Sequence, residues 1–348
     1  MCIRDRIQPD EVIEFVFRTY IDFGEDEGVQ KLFEVPTDSP GLRVFKANLL
    51  SQLFCMATSP FDEFLNGQLD AFTEIADNHP EEKELQESTA LIEYNLGCSC
   101  ALNQGPAILK MFLQAKYGMN FQETARARFD AAISRVGKES RVGVMALLNR
   151  GFLFDDDERA IESWTTVIEA DVANDEMRAC ALNNRAYRLA AQGKHERSIG
   201  DRTRVMELGN TSADRRFVAL FERAKSQAAL KKFQKAVPDL KAILESKDIG
   251  QTDKLHARIQ QGVYLYFAGQ IDDSREVLEM VDKLLNQDSK KSKFLDQGLR
   301  SQLASLIQDA IIGIDNQDSE SCRSTLEEIT QWNSSNMRGI RVSQPEAL

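Results

Sequence analysis

The alternation of apolar and polar positions in the middle of the chain predicts helices that come in pairs. In ALNNRAYRLAAQ (181–192), apolar and small residues recur at intervals of four and three from Leu182 to Leu189, which places them on one helix face. Gly193 then interrupts the pattern at a position suited to a helix C-terminus. The helical period resumes in RSIGDRTRVMEL (197–208). We therefore predict two helices joined by a short turn.

This pattern repeats along the chain. The phrases ALLNRG, ALNNRA, ALFERA and ARIQQG each begin with Ala and end with Gly or Ala. A second phrase follows each of them, and its small residue recurs every 38 positions, at Ala160, Ser198, Ala236 and Ser274. Regular spacing over three intervals indicates an internal repeat. We assign four repeat units to residues 146–287.

Small side chains mark the places where the two helices of a unit meet. The first phrases end in such residues, namely Gly151, Ala186, Ala224 and Gly262. Larger side chains would push the helices apart and open voids, which dense cores penalise. A lone pair of helices leaves its apolar side uncovered, so the units must stack. We expect the arginines that recur in the first phrases to pair with acidic neighbours: Arg150, Arg185 and Arg223.

The clearest copy, ALNNRAYRLAAQGKHERSIGDRTRVMEL (181–208), resembles the tetratricopeptide repeat family. The resemblance extends over 146–284 and is weakest in 257–284, and the interval of 38 positions exceeds the family's unit of about 34 residues. It implies an all-α fold, a right-handed superhelical solenoid of antiparallel helix pairs. It also implies a non-catalytic interaction scaffold that binds a peptide or a partner helix in a concave groove lined by the first helices.

The resemblance further implies which side chains face the groove. Beside the small residues, the first helices carry pairs of side chains four positions apart. The predicted groove residues are Phe152, Asn183, Tyr187, Phe221, Lys225 and Tyr266. We expect Tyr187, Phe221 and Lys225 to be exposed there, because aromatic anchors characterise interfaces. For Leu148, Ile259 and Val263 on the same stripe we expect packing in the core.

The segments that flank the four units predict less regular helices. Residues 7–80 read as a mostly helical region with a break near Gly67, and residues 81–145 as irregular helices of the same kind. Residues 288–332 predict a helical hairpin that caps the array, because terminal units of arrays are usually atypical. We expect a flexible tail over 333–348.

The first six residues, MCIRDR, fit nothing that follows them and resemble a translated sequencing adapter. Such segments are excluded from reasoning about the fold, so we treat residues 1–6 as a non-native leader. On this interpretation the reading frame is truncated at its N-terminus. Whether a signal peptide or a catalytic domain lies upstream is then an open question.

Composition narrows the class of partner. The chain has 348 residues and a net charge of -12, which argues against a nucleic-acid partner because phosphate contacts need a basic surface. No apolar run approaches the length of a membrane span. The six cysteines are scattered and match neither a disulfide framework nor a zinc site. We expect reduced thiols and a cytoplasmic location, whereas the oligomeric state and the partner's identity stay open.

Catalytic and cofactor motifs are missing from the sequence. It contains no phosphate-cradling loop, no nucleophile elbow and no metalloprotease helix. The three histidines, His79, His195 and His256, have no metal-ligand neighbour at useful spacing. The acidic run DDDE (155–158) predicts a solvated loop whose charges favour the start of the next helix. We therefore predict no catalytic residue, no cofactor and no metal.

Two other functions are compatible with a helical array. The chain could be the regulatory or substrate-docking region of an enzyme whose catalytic domain lies upstream. It could also bind RNA, since solenoids of similar unit length read RNA, although the acidic balance counts against this. We favour the non-catalytic scaffold with a protein or peptide partner.

Overall fold

The computed structural model describes residues 40–56, 63–102, 120–286 and 297–336. Those residues form 14 α-helices and no strand, which confirms the all-α prediction. The predictions for residues 1–39, which include the leader, and for residues 337–348 of the tail lie outside the described residues. Among the helices described, none combines the length and the apolar character needed to cross a membrane.

The chain divides into two compact units, with the boundary between Ala173 and Asn174. The first contains α1 (Pro40–Met56), α2 (Glu63–Asn78), α3 (Lys83–Leu102), α4 (Phe121–Val136), α5 (Arg141–Arg150) and α6 (Asp157–Glu169). The second contains α7 (Asp175–Ala191), α8 (His195–Glu207), α9 (Ala213–Ala229), α10 (Phe233–Glu245), α11 (Gln251–Phe267), α12 (Ile271–Asn286), α13 (Gln297–Asp315) and α14 (Ser319–Asn336).

In the first unit, helix α3 lies between α1 and α4. Gly97 of α3 permits the close contact with α4, because a Cβ atom there would lie 2.7 Å from the ring of Phe129. The predicted break near Gly67 is wrong, since α2 continues through it. Gly67 is exposed and costs this helix about 1 kcal/mol relative to alanine, which is tolerable.

In the second unit, the helices begin at regular intervals. The first helices of three successive pairs begin one repeat interval apart, at Asp175, Ala213 and Gln251. The second helices do the same, at His195, Phe233 and Ile271. Consecutive helices pack against one another along the unit. The predicted repeat of paired helices is therefore confirmed for these residues.

The turns inside the pairs share one backbone geometry. A residue in the left-handed region stands at each turn, with φ of 73°, 58°, 83° and 57° at Gly193, Lys231, Gly269 and Gln317. The next N–H donates to the carbonyl five residues earlier, as in a Schellman motif, for example Lys194 to Leu189 at 2.8 Å. The last of these turns joins α13 to α14, so the terminal hairpin is built like the pairs before it.

Small residues hold the paired helices close together, as predicted. The hydroxyl of Ser198 donates to the carbonyl of Ala186 at 2.8 Å. In the same way, the hydroxyl of Ser274 donates to the carbonyl of Gly262 at 2.8 Å. A Cβ atom on Gly262 would lie 2.9 Å from the side chain of Leu278, so a larger residue would require Leu278 of α12 to shift.

The recurring arginines pair with aspartates, which confirms the sequence expectation. Arg185 and Arg223 each donate through two nitrogens to one carboxylate, which is the strong bidentate geometry. The pairs are Arg150 with Asp130 at 2.5 Å, Arg185 with Asp201 at 2.8 and 2.7 Å, and Arg223 with Asp239 at 2.9 and 2.6 Å. These arginines therefore stabilise the repeat.

Candidate functional site

The predicted groove residues lie in different environments. Phe152 belongs to the first unit, where it is half-buried and packs edge-on against Trp164 with ring centroids 5.5 Å apart. Tyr187 is 50% exposed, as expected. Phe221 is only 2% exposed, so the expectation that it faces solvent is wrong. Its ring packs against Phe217 at 5.6 Å and belongs to the core of the second unit.

The polar members of the set are already engaged. The side chain of Asn183 is buried, and its Nδ2 donates to the carbonyl of Arg215 at 3.1 Å, which ties α7 to α9. Lys225 is half-buried and its Nζ donates to Glu222 at 2.8 Å. Tyr266 is half-buried and contacts Phe267 edge-on, with ring centroids 5.6 Å apart.

Helix α14 packs against α11, the last of the three regularly spaced first helices. Asn333 of α14 is buried, and its Nδ2 donates to the carbonyl of His256 at 3.1 Å and to Oε1 of Gln260 at 3.2 Å. Its Oδ1 lies 2.5 Å from Nδ1 of His256, which assigns the imidazole proton to Nδ1. Burial lowers the pKa of His256, an effect partly offset by Asn333 and Asp253. The imidazole is therefore neutral at physiological pH.

This contact bears on two predictions, the end of the terminal hairpin and the packing of α11. The predicted hairpin stops at residue 332, whereas α14 ends at Asn336. The helix therefore includes Asn333, which binds α11. Ile259 and Val263 are buried in a core cluster that also contains Ile329 of α14, which confirms their expected core packing. Leu148 of α5 is only half-buried.

A cavity of about 970 Å³ opens in the second unit, where α9, α11 and α14 surround the start of α10. Its wall contains charged, aromatic and amide side chains. The residues that line it are Lys225, Ala228, Ala229, Lys231, Phe233, Gln260, Val263, Tyr264, Phe267, Arg323, Glu327, Thr330, Gln331 and Ser334. Of the six predicted groove residues, Lys225 belongs to this lining. The volume lies at the upper end of the range of ligand pockets.

One wall of the cavity is aromatic. The ring of Phe233 stacks on Phe267 at 5.2 Å and meets Tyr264 at 5.7 Å. The guanidinium of Arg323 lies 6.0 Å from the centre of the Phe267 ring. Burial, and then the charge of Glu222, raises the pKa of the Tyr264 phenol, which therefore stays neutral at physiological pH. Such a wall offers both apolar contact and a cation at its edge.

The electrostatics behind the cavity centre on a buried arginine. Arg202 of α8 is 1% exposed, and one of its Nη atoms lies 3.9 Å from Glu222, the residue that also binds Lys225. Burial lowers the pKa of Arg202 to about 10, although Glu222 and Asp201 counteract this. The guanidinium therefore stays charged at neutral pH, and one carboxylate, Glu222, is shared by two cations.

The described thiols are poorly suited to nucleophilic chemistry. Four of them are buried, reduced thiols: Cys98, Cys100, Cys180 and Cys322. Burial raises the pKa of Cys100 to about 12 and also raises the pKa of Cys322. Because the thiolate is the nucleophile, Cys100 and Cys322 stay in their unreactive form near neutral pH.

One group of potential metal ligands comes together, contrary to the sequence expectation for His79. Its ligand atoms and those of Glu81 and Glu82 lie within 4.8 Å of one another. Arg43 already donates to Glu82, and its positive charge opposes a cation there.

The acidic run DDDE (155–158) lies at the start of α6, where Asp156 accepts a hydrogen bond from the N–H of Glu158 at 2.8 Å.

No protein-family model matches the sequence, and comparison with the curated proteins finds no match.

Most residues that line the cavity were not predicted from the sequence, although those on α11 follow a recognisable helical spacing. Gln260, Val263, Tyr264 and Phe267 are spaced as i, i+3, i+4 and i+7, which is one face of a helix. That spacing could have suggested a continuous face on α11. The contribution of α14 had no comparable signal, because Arg323 lies far from this face in the sequence.

Proposed function

We propose that this chain is a non-catalytic interaction protein of the tetratricopeptide-like kind, acting in the cytoplasm. Its helix pairs form a right-handed superhelical array, and a peptide or a partner helix binds on the face of the first helices. In the second unit, that binding site is the cavity between α9, α11 and α14.

The observation that carries the proposal is the cavity itself. It lies on the first helices of the repeat, and its wall combines three aromatic rings with amide and charged side chains. Binding pockets characteristically have an apolar lining with a few polar groups that fix orientation. Aromatic and arginine side chains such as Phe233, Tyr264 and Arg323 are also the types that anchor protein interfaces.

The test uses a displayed library of random 12-residue peptides, selected on the immobilised chain. Ala229 is exposed, lines the cavity and ends α9, so Ala229→Trp should fill the cavity without disturbing the core. Ala191 occupies the equivalent place one repeat earlier, at the end of α7, and is also exposed. Ala191→Trp is therefore a matched control.

We expect the library to yield peptides that bind the unaltered chain and the Ala191→Trp variant equally well. Ala229→Trp should weaken their binding by at least about tenfold, since its indole takes the space of an anchor side chain. A library that yields no binder, or peptides that bind both variants equally, would contradict the proposed site.

A further inference from the structure

The charge around the cavity has the opposite sign to that of the whole chain. The net charge of the protein is -12, yet the described residues that line the cavity include Lys225, Lys231 and Arg323 against a single acidic residue, Glu327. Screening limits the reach of exposed charges to about 8 Å at physiological ionic strength. A ligand inside the cavity therefore responds to these nearby cations more than to the distant acidic surface.

Two of these cations are available to a ligand. Lys231 and Arg323 are both exposed, and neither forms an ion pair among the residues that the structure describes. Lys225 does pair with Glu222, but the buried Arg202 competes for that same carboxylate. The positive charge at the cavity is thus only partly neutralised from within.

Lys231 lies in the turn that begins the cavity, in a left-handed conformation that Gln317 also adopts in the last turn. At the equivalent point of the neighbouring turns stand Gly193 and Gly269, which adopt positive φ without steric cost. Lys231 adopts φ of 58° at the same place, a conformation that costs a non-glycine residue roughly 1 kcal/mol. The turn before the cavity therefore carries a cation where glycine would be the more stable choice.

The cations stand next to the aromatic wall. Arg323 lies over the ring of Phe267, which in turn stacks on Phe233. An occupant that reaches this wall with an apolar side chain would bring its flanking groups beside Arg323 and Lys231. Carboxylates at those flanking positions would gain charge-assisted hydrogen bonds, whereas ammonium groups would be repelled.

We propose that the segment bound in this cavity is acidic, with carboxylates on either side of an aromatic or aliphatic side chain that contacts Phe233 and Phe267. This inference rests on the proposed function, because it names the chemistry of the partner that the cavity takes. The carboxylates pair with Lys231 and Arg323, and the apolar side chain enters between α11 and α14.

The test repeats the selection with the same 12-residue library and compares the charge of the selected peptides. The Lys231→Glu/Arg323→Glu variant reverses both free cations of the cavity. Lys235→Glu/Lys241→Glu is the matched control, since both lysines are exposed on α10, lie outside the cavity lining and change the net charge equally. Circular dichroism and urea unfolding establish that the variants fold like the unaltered chain.

We expect peptides selected on the unaltered chain to be enriched in Asp and Glu around an aromatic or aliphatic residue. Their affinity should fall by about tenfold or more in Lys231→Glu/Arg323→Glu and by less than about twofold in the control, because only the first variant places like charges beside the peptide. Raising the salt concentration from 50 to 500 mM should weaken the unaltered complex by a similar factor.

The outcomes separate this inference from the proposed function. Peptides that bind in the cavity, lose affinity on Ala229→Trp but show no excess of acidic residues would leave the proposed function standing and overturn the acidic partner. Equal losses in the two double variants would overturn it as well. If no peptide is selected, both proposals fail together.

Discussion

Two successive junctions of the second unit, α7 with α9 and α9 with α11, differ although they occupy equivalent places in the repeat. Helices α7 and α9 pack directly against each other, whereas α9 and α11 make little direct contact. At the first junction, Glu176 accepts hydrogen bonds from Arg215 at 3.1 Å and from the N–H of Ser212 at 2.9 Å. Asn183 adds the bond to the Arg215 carbonyl. Attraction therefore closes this junction.

At the second junction the equivalent positions carry like charges. Asp214 and Asp253 lie one repeat interval after Glu176 and Arg215, respectively. Burial raises the pKa of Asp253, His256 partly offsets this, and the charge of Asp214 adds a smaller increase. In place of Asn183 stands Phe221, a larger side chain that needs more room between the helices. These positions therefore cannot form the acid–base pair and the amide hydrogen bond that close the first junction.

The difference between the two junctions shows how a regular repeat can form a cavity at one position. The cavity lies at the junction where the contacts between first helices are lost, and α14 supplies its missing wall through Asn333. The helix pairs on both sides keep the same turns and close contacts. Changing a few junction residues is thus enough to open a cavity without altering the pairs.

The largest effect is expected from the aromatic side chain that stands on α9 in place of Asn183 of α7. Phe221→Ala removes a buried ring and should lower the free energy of unfolding by about 3 kcal/mol. Tyr187→Ala, a control from the same predicted stripe, should change it by less than about 0.5 kcal/mol because its side chain is half exposed. Urea unfolding measures both. Equal losses would mean that the two aromatics share one environment after all.

The next effect concerns the attachment of α14 to α11. Asn333→Ala removes the bonds to His256 and Gln260 and leaves their polar groups buried, so we expect a loss of about 2 kcal/mol. Asn336→Ala is the control, because its Nδ2 donates only to the carbonyl of Trp332 within the same helix. Hydrogen exchange should show α14 opening more readily in the first variant alone. Unchanged protection of α14 in Asn333→Ala would contradict the attachment.

A smaller, pH-dependent effect is expected at the junction between α9 and α11. The fold disfavours the ionised form of Asp253, although its place in the first turn of α11 favours a negative charge. The folded state therefore binds the Asp253 proton more tightly than the unfolded state. The destabilisation is present at neutral pH and disappears as the pH falls below the ordinary carboxyl range.

Asp253→Asn should thus raise the free energy of unfolding by about 0.5 kcal/mol at pH 7 and lose this advantage near pH 4. Urea unfolding at the two pH values measures the change. Asp248→Asn provides a control at an exposed residue just before α11. A gain that persists at pH 4, or a loss at pH 7, would contradict the destabilisation of the ionised Asp253 by the fold.

The smallest effect is expected at the turn before the cavity. Lys231→Gly matches the neighbouring turns and relieves the left-handed strain, at the cost of extra freedom in the unfolded chain. We expect a net gain in the free energy of unfolding of about 0.5 kcal/mol, together with weaker binding of the selected peptides. A variant that loses stability would show that the lysine side chain supports the fold.

The pairing of helices could be predicted from the sequence, but their closure into a cavity could not. The pairs depend on small residues at fixed spacing, such as Ala186 and Ser198, which contact each other locally. The terminal hairpin does not stand out as a further pair, because its turn at Gln317 follows Gly269 by more than one repeat interval. The contact of His256 with Asn333 joins residues 77 positions apart, which no periodic pattern reveals.

The candidate site was predictable only where it followed from local pattern. Lys225 stands on the stripe of α9 that predicts a binding surface, and it lines the cavity. Phe221 stands on the same stripe, yet the altered junction buries it. Arg323 and the rest of the α14 wall depend on tertiary packing of the terminal hairpin. Spacing within a helix cannot supply that information.

The most direct measurement is hydrogen exchange of the unaltered chain with and without a peptide selected from the library. We predict added protection in three places, the end of α9 with the turn at Lys231, the second half of α11, and α14 beyond Arg323. Protection confined to other helices, or spread evenly over the second unit, would contradict the claim that the open junction between α9 and α11 is the binding site.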